Sequence, residues 1–174
     1  MILKGLKKNA IKKSIEGQIK KRKSTPGSVS RLNSIAVLID ASEAVDIISI
    51  LKLAGELGVN PDRVKVMGYV EDKKELEDKP EASYYNEKSF TVKGGIKSDS
   101  LRNFIDKEFD ILINFYSVDK IELNFVAVMS KAKFKVGFAE VDNRINDLVI
   151  GGAGDQQSVF ISELKKYLKI LQII

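Results

Sequence analysis

Oxygen-bearing side chains follow the apolar segments "SIAVLID", "ILINFY" and "KVGF" at the points where strands are expected to end. Because the carboxyl ends of parallel strands meet at one edge of a sheet, these side chains should line a common rim near the point where strand order reverses. Carboxylate and hydroxyl oxygens at such a rim could bind a small ligand or Mg²⁺. The candidate ligand rim comprises Asp40, Ser42, Ser117, Asp119, Glu140, Asp142 and Asn143.

Two of these aspartates also lie where helices are expected to begin. Asp40 precedes Glu43 by three residues, and Asp119 precedes Glu122 by the same spacing. Both pairs resemble capping boxes, so helix capping is favoured over catalysis for these aspartates. Residues 140–143 do not have this spacing, but polar loop residues are often present only for solvation.

The composition excludes several kinds of catalytic site. The chain contains no His and no Cys, which excludes a Ser-His-Asp triad, a cysteine nucleophile, disulfides and a zinc site with His or Cys ligands. Any proton transfer would depend on Asp, Glu, Lys or Tyr. We therefore expect no metal, no cofactor and no catalytic residue, and a binding protein is favoured over an enzyme.

One glycine-rich segment, "LVIGGAGDQQSVF", has part of a dinucleotide-binding pattern. Gly152 and Gly154 precede an expected helix, but Gln157 occupies the third glycine position. The segment also follows the last expected strand rather than the first, where the pattern would lie. This favours a flexible turn, and it does not predict a nucleotide cofactor.

Charge is concentrated in a leader, residues 1–24. It holds nine basic residues and one acidic residue, Glu16, and is therefore +8; subtracting them from the totals of 29 and 24 leaves 20 basic and 23 acidic residues, a body of −3. Such a basic segment is a candidate for anion or nucleic-acid binding. The basic residues are Lys4, Lys7, Lys8, Lys12, Lys13, Lys20, Lys21, Arg22 and Lys23.

The leader could form a basic amphipathic helix. Ile11, Ile15 and Ile19 would form a narrow apolar ridge, whereas Gly5 and Gly17 predict a broken helix. Three interpretations remain open: a solvated tail, a segment that binds RNA or the ribosome, and a segment that binds an anionic membrane surface. RNA or the ribosome is favoured because lysine density is high and the leader has no aromatic residue.

The remaining elements predict one Rossmann-like domain. Apolar segments that alternate with helical patterns indicate a three-layer α/β fold with a mostly parallel sheet at residues 34–174, joined to the leader by a linker at 25–33. The predicted strands are 34–40, 63–70, 89–92, 109–116, 133–138 and 147–152, and the predicted helices are 42–58, 98–107, 119–132 and 155–170. Gly58 is expected at the C-terminus of the first of these helices.

Two apolar segments could serve either the core or a partner. The helix at 119–132 is apolar on more than one side, which indicates central burial or packing on a partner. Ile170, Ile173 and Ile174 extend beyond the apolar stripe of the last helix, and they could cover a sheet edge or form a homodimer contact, with the first slightly favoured. Neither a membrane-spanning run nor a signal peptide is evident, so a cytoplasmic location is expected.

Two resemblances cover parts of this pattern. The segment "FDILINFYSVDKIELNFVAVMSKAKFKVGFAEVDNRINDLVI", with the closing "ELKKYLKIL" and the basic leader, resembles an uncharacterised family of short α/β proteins from Bacteroidota. That resemblance implies the fold and a cytoplasmic setting but no catalytic residue. A second resemblance, to the acceptor half of heptosyltransferase-like enzymes, rests on "FDILINFY" followed by a helix and "KVGF". In those enzymes a second half, absent from this chain, largely holds the sugar nucleotide.

Overall fold

A computed structural model describes residues 1–22, 28–72, 81–151 and 156–174 of the chain. The strands in these ranges are β1 (Ile35–Asp40), β2 (Val64–Tyr69), β3 (Ser83–Tyr85), β4 (Ile111–Phe115), β5 (Phe134–Phe138) and β6 (Leu148–Ile150). The α-helices are α1 (Ile2–Lys21), α2 (Ile47–Glu56), α3 (Asp99–Asp106), α4 (Ile121–Met129) and α5 (Gln157–Ile170).

The strands form one parallel sheet in the order β3-β2-β1-β4-β5-β6. This is a Rossmann-like order, and it reverses between β1 and β4. Alternate residues of β1 point to opposite faces: Val37 packs with α2 and α5, whereas Leu38 packs with α3 and α4. The predicted three-layer α/β fold is therefore confirmed, and all paired strands are parallel.

The edge strand β3 was not predicted. It has only three residues and lies in a charged segment, so its composition resembles that of a loop. The predicted strand at 89–92 is wrong, because residues Glu87–Ser89 form a 3₁₀ turn capped by Asn86 and Phe90 makes only an isolated antiparallel bridge to Ile96. The sheet thus gains its edge strand from the residues just before the predicted one.

Helix α1 is continuous, whereas the two glycines had predicted a broken helix. The apolar ridge explains the difference, because Ile11 and Ile15 are buried in the cluster that also contains α3 and α4. Tertiary packing of an apolar face stabilises a helix more than intrinsic propensity does. The cost of the glycines, about 1 kcal/mol each, is small by comparison.

Helix α4 lies between the sheet and α1. It contacts both β1 and α1, and all residues from Glu122 to Val128 are buried. Gly94 brings a neighbouring loop against α1: its φ is +79°, and a Cβ there would lie 3.2 Å from the carbonyl carbon of Ala10. Helix α1 is therefore packed on the domain through Ile11, Ile15 and Ile19, and it supplies the cover that the apolar pattern of α4 requires.

The residues that follow α2 and α5 were also the subject of sequence predictions. Gly58 has a φ of +77° directly after α2, and its N–H donates to Gly55 while that of Val59 donates to Ala54, which completes a Schellman motif. At the C-terminus, Ile173 is buried with α2 and α5, whereas Ile170 and Ile174 are exposed. The homodimer contact stays a prediction.

Candidate functional site

Ion pairs fix both ends of α1 to the body. Near its start, the Nζ of Lys4 lies 3.3 Å from Oε2 of Glu87, and Lys7 donates to the backbone oxygen of Glu87 at 3.1 Å. Near its end, Arg22 pairs with Asp147. These contacts show that Lys4, Lys7 and Arg22, three of the predicted anion-binding residues, are partly used to hold the helix.

Glu16, the only acidic residue of the leader, makes a further contact with the body. Its carboxylate accepts two hydrogen bonds from Arg144, at 2.8 and 3.1 Å, and Arg144 also binds Asp142 at 2.7 Å. The hydrogen bond from Arg144 lowers the pKa of Glu16 and that of Asp142. Asp142 is therefore part of the structure that docks α1, rather than part of an open ligand rim.

The other described lysines of α1 are exposed. No carboxylate in the described ranges lies within ion-pair distance of them, so their charge faces solvent. Lys23 lies outside the described residues. The exposed set is Lys8, Lys12, Lys13, Lys20 and Lys21.

A cleft of about 970 Å³ lies between α2 and α5, and another of about 710 Å³ lies between α1, the carboxyl end of β2 and the start of α4. The second cleft brings together residues that the sequence had placed in two separate candidate sites. Lys8 and Lys12 come from the leader, and Asp119 comes from the rim. Lys120, Tyr69 and Glu122 also line it.

Asp40 is directed inward beside this cleft. It is 1% exposed, and its Oδ1 accepts hydrogen bonds from the backbone N–H and the hydroxyl of Ser42 at 2.9 and 2.7 Å. The Nζ of Lys120 lies 2.7 Å from its Oδ2. Burial alone would lower the pKa of Lys120, but the hydrogen bond and charge of Asp40 raise it. Asp40 therefore holds a protonated lysine at the edge of the cleft.

The predicted capping boxes are wrong. Helix α2 begins later than expected, and Asp46 caps it by accepting from the N–H of Ser49. Glu43 instead reaches across the switch point between β1 and β4 and accepts from the backbone N–H of Ser117 at 2.9 Å. Asp119 accepts a hydrogen bond from Asn124, and the N-cap of α4 has no side-chain hydrogen bond.

Of the remaining predicted rim residues, Ser42 accepts a hydrogen bond from Lys120 at 3.2 Å at the edge of the cleft, and the other four do not line the cleft. Ser117 is held by Glu43, and Glu140 is exposed in the loop that follows β5. The amide of Asn143, oriented with its nitrogen toward the carbonyl oxygens of Ala139 and Val141, donates to both at 3.0 Å. The seven predicted rim residues therefore do not form one site.

Two cleft residues were missed by sequence reasoning. Tyr69 is 5% exposed and Glu122 is 7% exposed. Neither the hydroxyl of Tyr69 nor the carboxylate of Glu122 forms a hydrogen bond or ion pair within the described part of the chain. Burial raises the pKa of Tyr69, and the negative charge of Glu122 adds to this effect, so the hydroxyl stays a donor. In the sequence, an acidic residue within the otherwise apolar pattern of α4 was the signal that could have identified Glu122.

The described residues contain no group of three or more carboxylates arranged to hold a metal ion. None of the helices in those ranges is long and apolar enough to cross a membrane. Gly152 and Gly154 of the glycine-rich segment lie outside the described residues.

Comparison with protein-family models gives one match. A model described as a family of unknown function, DUF6913, matches residues 7–171. The chain belongs to this family. The predicted membership of an uncharacterised family is thus confirmed. Because the DUF6913 match begins at residue 7, it includes most of α1 as well as the sheet. No curated protein and no solved structure gave a significant match.

Proposed function

We propose that this DUF6913 protein is a non-enzymatic binding protein, cytoplasmic in location, whose helix α1 binds the phosphate backbone of RNA, on the ribosome or another large assembly. The observation that carries the proposal is the exposed set of five lysines on a helix that is fixed to the body. Lysine binds phosphate as a point charge and needs no base contacts. The proposal therefore concerns affinity for RNA rather than recognition of a sequence.

The dimensions of α1 suit several phosphates at once. Lys8 and Lys21 are 13 positions apart, which corresponds to about 20 Å along an α-helix. Each phosphate that a lysine neutralises releases counterions, and this release drives binding. Because packing of Ile11 and Ile15 already holds the helix, little ordering cost is added when RNA binds.

The rest of the surface orients the complex. The residues outside the leader carry a net charge of −3, so RNA should be repelled from most of the body and attracted to α1. Lys4, Lys7 and Arg22 contribute less because they pair with Glu87 and Asp147. Three exposed lysines that do not line the cleft, Lys13, Lys20 and Lys21, are the cleanest residues with which to test the contact.

The test measures binding of a fluorescent single-stranded RNA over a salt series. Replacing Lys13, Lys20 and Lys21 with Gln should weaken binding at low salt, and the slope of log affinity against log salt should fall by up to about 2, since each phosphate contact contributes about 0.7. The control replaces Lys52, Lys65 and Lys169, which are exposed and lie outside α1, with Gln. Equal effects of the two triple variants would reject α1 as the RNA-binding surface.

An anionic membrane surface is the second candidate, and one observation favours it. Met1, Ile2, Leu3 and Leu6 at the start of α1 are 52% to 110% exposed, next to basic residues. Such a combination can insert shallowly into a lipid headgroup region. Replacing Leu3 and Leu6 with Ser should abolish binding to phosphatidylserine vesicles but leave RNA binding unchanged, whereas the lysine variants should weaken both.

A further inference from the structure

The cleft beneath α1 contains two polar groups that the fold itself does not use. Tyr69 lies at the carboxyl end of β2, and Glu122 lies in the first turn of α4. Both are more than nine-tenths buried and both line the cleft, yet the hydroxyl and the carboxylate have no hydrogen-bond partner among the described residues. Neither the Tyr69 hydroxyl nor the Glu122 carboxylate is among the fully enclosed polar atoms that lack a partner in the described residues. Both therefore reach the cleft, where a ligand can form hydrogen bonds with them.

The buried pair offers one donor and one acceptor. The hydroxyl of Tyr69 stays protonated, because burial and the charge of Glu122 raise its pKa. The carboxylate of Glu122 accepts hydrogen bonds, and it would repel an anion placed directly against it. The inner part of the cleft therefore fits hydroxyl groups, which both donate and accept, better than it fits an apolar or anionic group.

The wall of the cleft formed by α1 is basic and attracts anions, unlike the inner part formed by Tyr69 and Glu122. Lys8 and Lys12 are four residues apart, so both lie on the same side of the helix, and no described carboxylate pairs with either. Lys120 lies between the two regions, but its charge is partly neutralised by Asp40 at 2.7 Å. The α1 wall therefore suits one anionic group rather than several.

From this arrangement we propose that the cleft binds a small polyol phosphate, a sugar phosphate for example, with its phosphate against Lys8 and Lys12 and its hydroxyl groups against Tyr69 and Glu122. The cleft volume of about 710 Å³ lies within the usual range for small-molecule sites. Glu71, Asp72 and Glu87 also line the cleft. Their negative charge disfavours a triphosphate.

The position of the cleft agrees with the fold. In open parallel sheets, ligands bind beyond the carboxyl ends of the strands, at the place where strand order reverses. Asp40 ends β1, which is one of the two strands at that place, and it holds Lys120 at the edge of the cleft. The site shares Lys8 and Lys12 with the proposed RNA surface. Tyr69 and Glu122 are buried and cannot contact RNA, so substitutions of these two residues distinguish the cleft from that surface.

The test titrates ribose 5-phosphate, glucose 6-phosphate and glycerol 3-phosphate into the full chain and follows backbone amide shifts by NMR. At least one should bind saturably and shift the amides of residues 69–72 and 119–122. Free ribose and inorganic phosphate, each with half of the required groups, should bind at least about tenfold more weakly, since a few lost hydrogen bonds or one lost charge contact amount to this factor.

Matched substitutions assign the two halves of the cleft. Tyr69→Phe and Glu122→Gln should each weaken the bound polyol phosphate about five- to tenfold, without changing the affinity for inorganic phosphate. Replacing Lys8 and Lys12 with Gln should weaken both ligands, whereas the same change at Lys13 and Lys20 should weaken neither. Urea unfolding of each variant checks that the fold is retained.

Three results would overturn the proposal. One is the absence of saturable shifts with all three polyol phosphates. Another is equal affinity for inorganic phosphate and the polyol phosphate, which would indicate only a basic surface. The last is unchanged binding in both Tyr69→Phe and Glu122→Gln. Loss of polyol phosphate binding with intact RNA binding in these two variants would separate this site from the one on α1.

Discussion

Helix α1 should behave as part of the folded domain, and substitution of its buried ridge tests this directly. Ile11 is 1% exposed and Ile15 is 6% exposed, and both pack in the cluster that contains α4. Truncating a buried Ile to Ala costs about 2–5 kcal/mol. The free energy of unfolding of an ordinary domain is about 5–15 kcal/mol in total. Ile11→Ala should therefore be strongly destabilised, and the variant with both Ile11→Ala and Ile15→Ala should be largely unfolded.

The control is Leu6→Ala in the same helix. Leu6 is 52% exposed, so its loss should change the free energy of unfolding by no more than about 0.5 kcal/mol. Urea unfolding followed by circular dichroism reports the helices and the sheet together. Tyrosine fluorescence supplies a second probe, because Tyr85 is fully buried in the same cluster as Ile11.

The outcome distinguishes an integral helix from an independent one. If α1 is integral, the midpoint should fall in both probes together, while the dependence of the free energy on urea stays the same. A separate early loss of helical signal, with the tyrosine transition unchanged, would refute the reasoning. So would a loss of less than about 1 kcal/mol in Ile11→Ala, because a buried Ile that packs well costs more than that.

Two further predictions concern residues near α1. Burial lowers the pKa of Lys135 from 10.5 to about 8, so its charge opposes folding at neutral pH. Lys135→Met loses the hydrogen bond from Nζ to the backbone oxygen of Val128, which costs about 1 kcal/mol at any pH, but at pH 7 it gains up to about 3 kcal/mol because the buried charge is removed. The parent should recover this difference as pH rises from 8 to 10.5, which urea titrations across that range would show, and a difference independent of pH would contradict it. Gly94→Val should destabilise the protein by about 2 kcal/mol or more, because φ at Gly94 is +79° and a side chain there would meet Ala10. Thermal unfolding would check this, with Gly55→Ala as the control because the space around position 55 is open.

The sequence predicted those elements whose apolar pattern is long and continuous. The residues of β1 and β4 are buried without exception, and such runs indicate strands covered on both faces. β3 could not be found in the same way, because three residues are too few to show a pattern. Its position depends on pairing with β2, for example at Tyr85 against Tyr69, and long-range pairing is not encoded in local composition.

The candidate site was predicted in its general position but not in its residues. Asp40 lies at the carboxyl edge of the sheet as expected, but its carboxylate is directed at Ser42 and Lys120 rather than at a helix N-terminus. Tyr69 was missed because an aromatic residue at the end of an apolar strand is typical of the core. Glu122 was assigned to a capping box because its spacing from Asp119 was correct, although the helix begins in a different way.

The strongest sequence signal that the leader forms part of the fold was the apolar pattern of α4, which lies outside the leader. Helix α4 is buried from Glu122 to Val128, and a helix that is apolar all round needs a second cover beyond the sheet. The isoleucine ridge of α1 supplies that cover, so a chain that begins at Ser28 would lose a structural element together with its lysines. Such a truncation would weaken RNA binding even if no lysine touched RNA, because it would also expose α4. Only substitutions on the exposed side of α1, where Lys13 and Lys20 lie, separate the charge of the leader from its contribution to the fold.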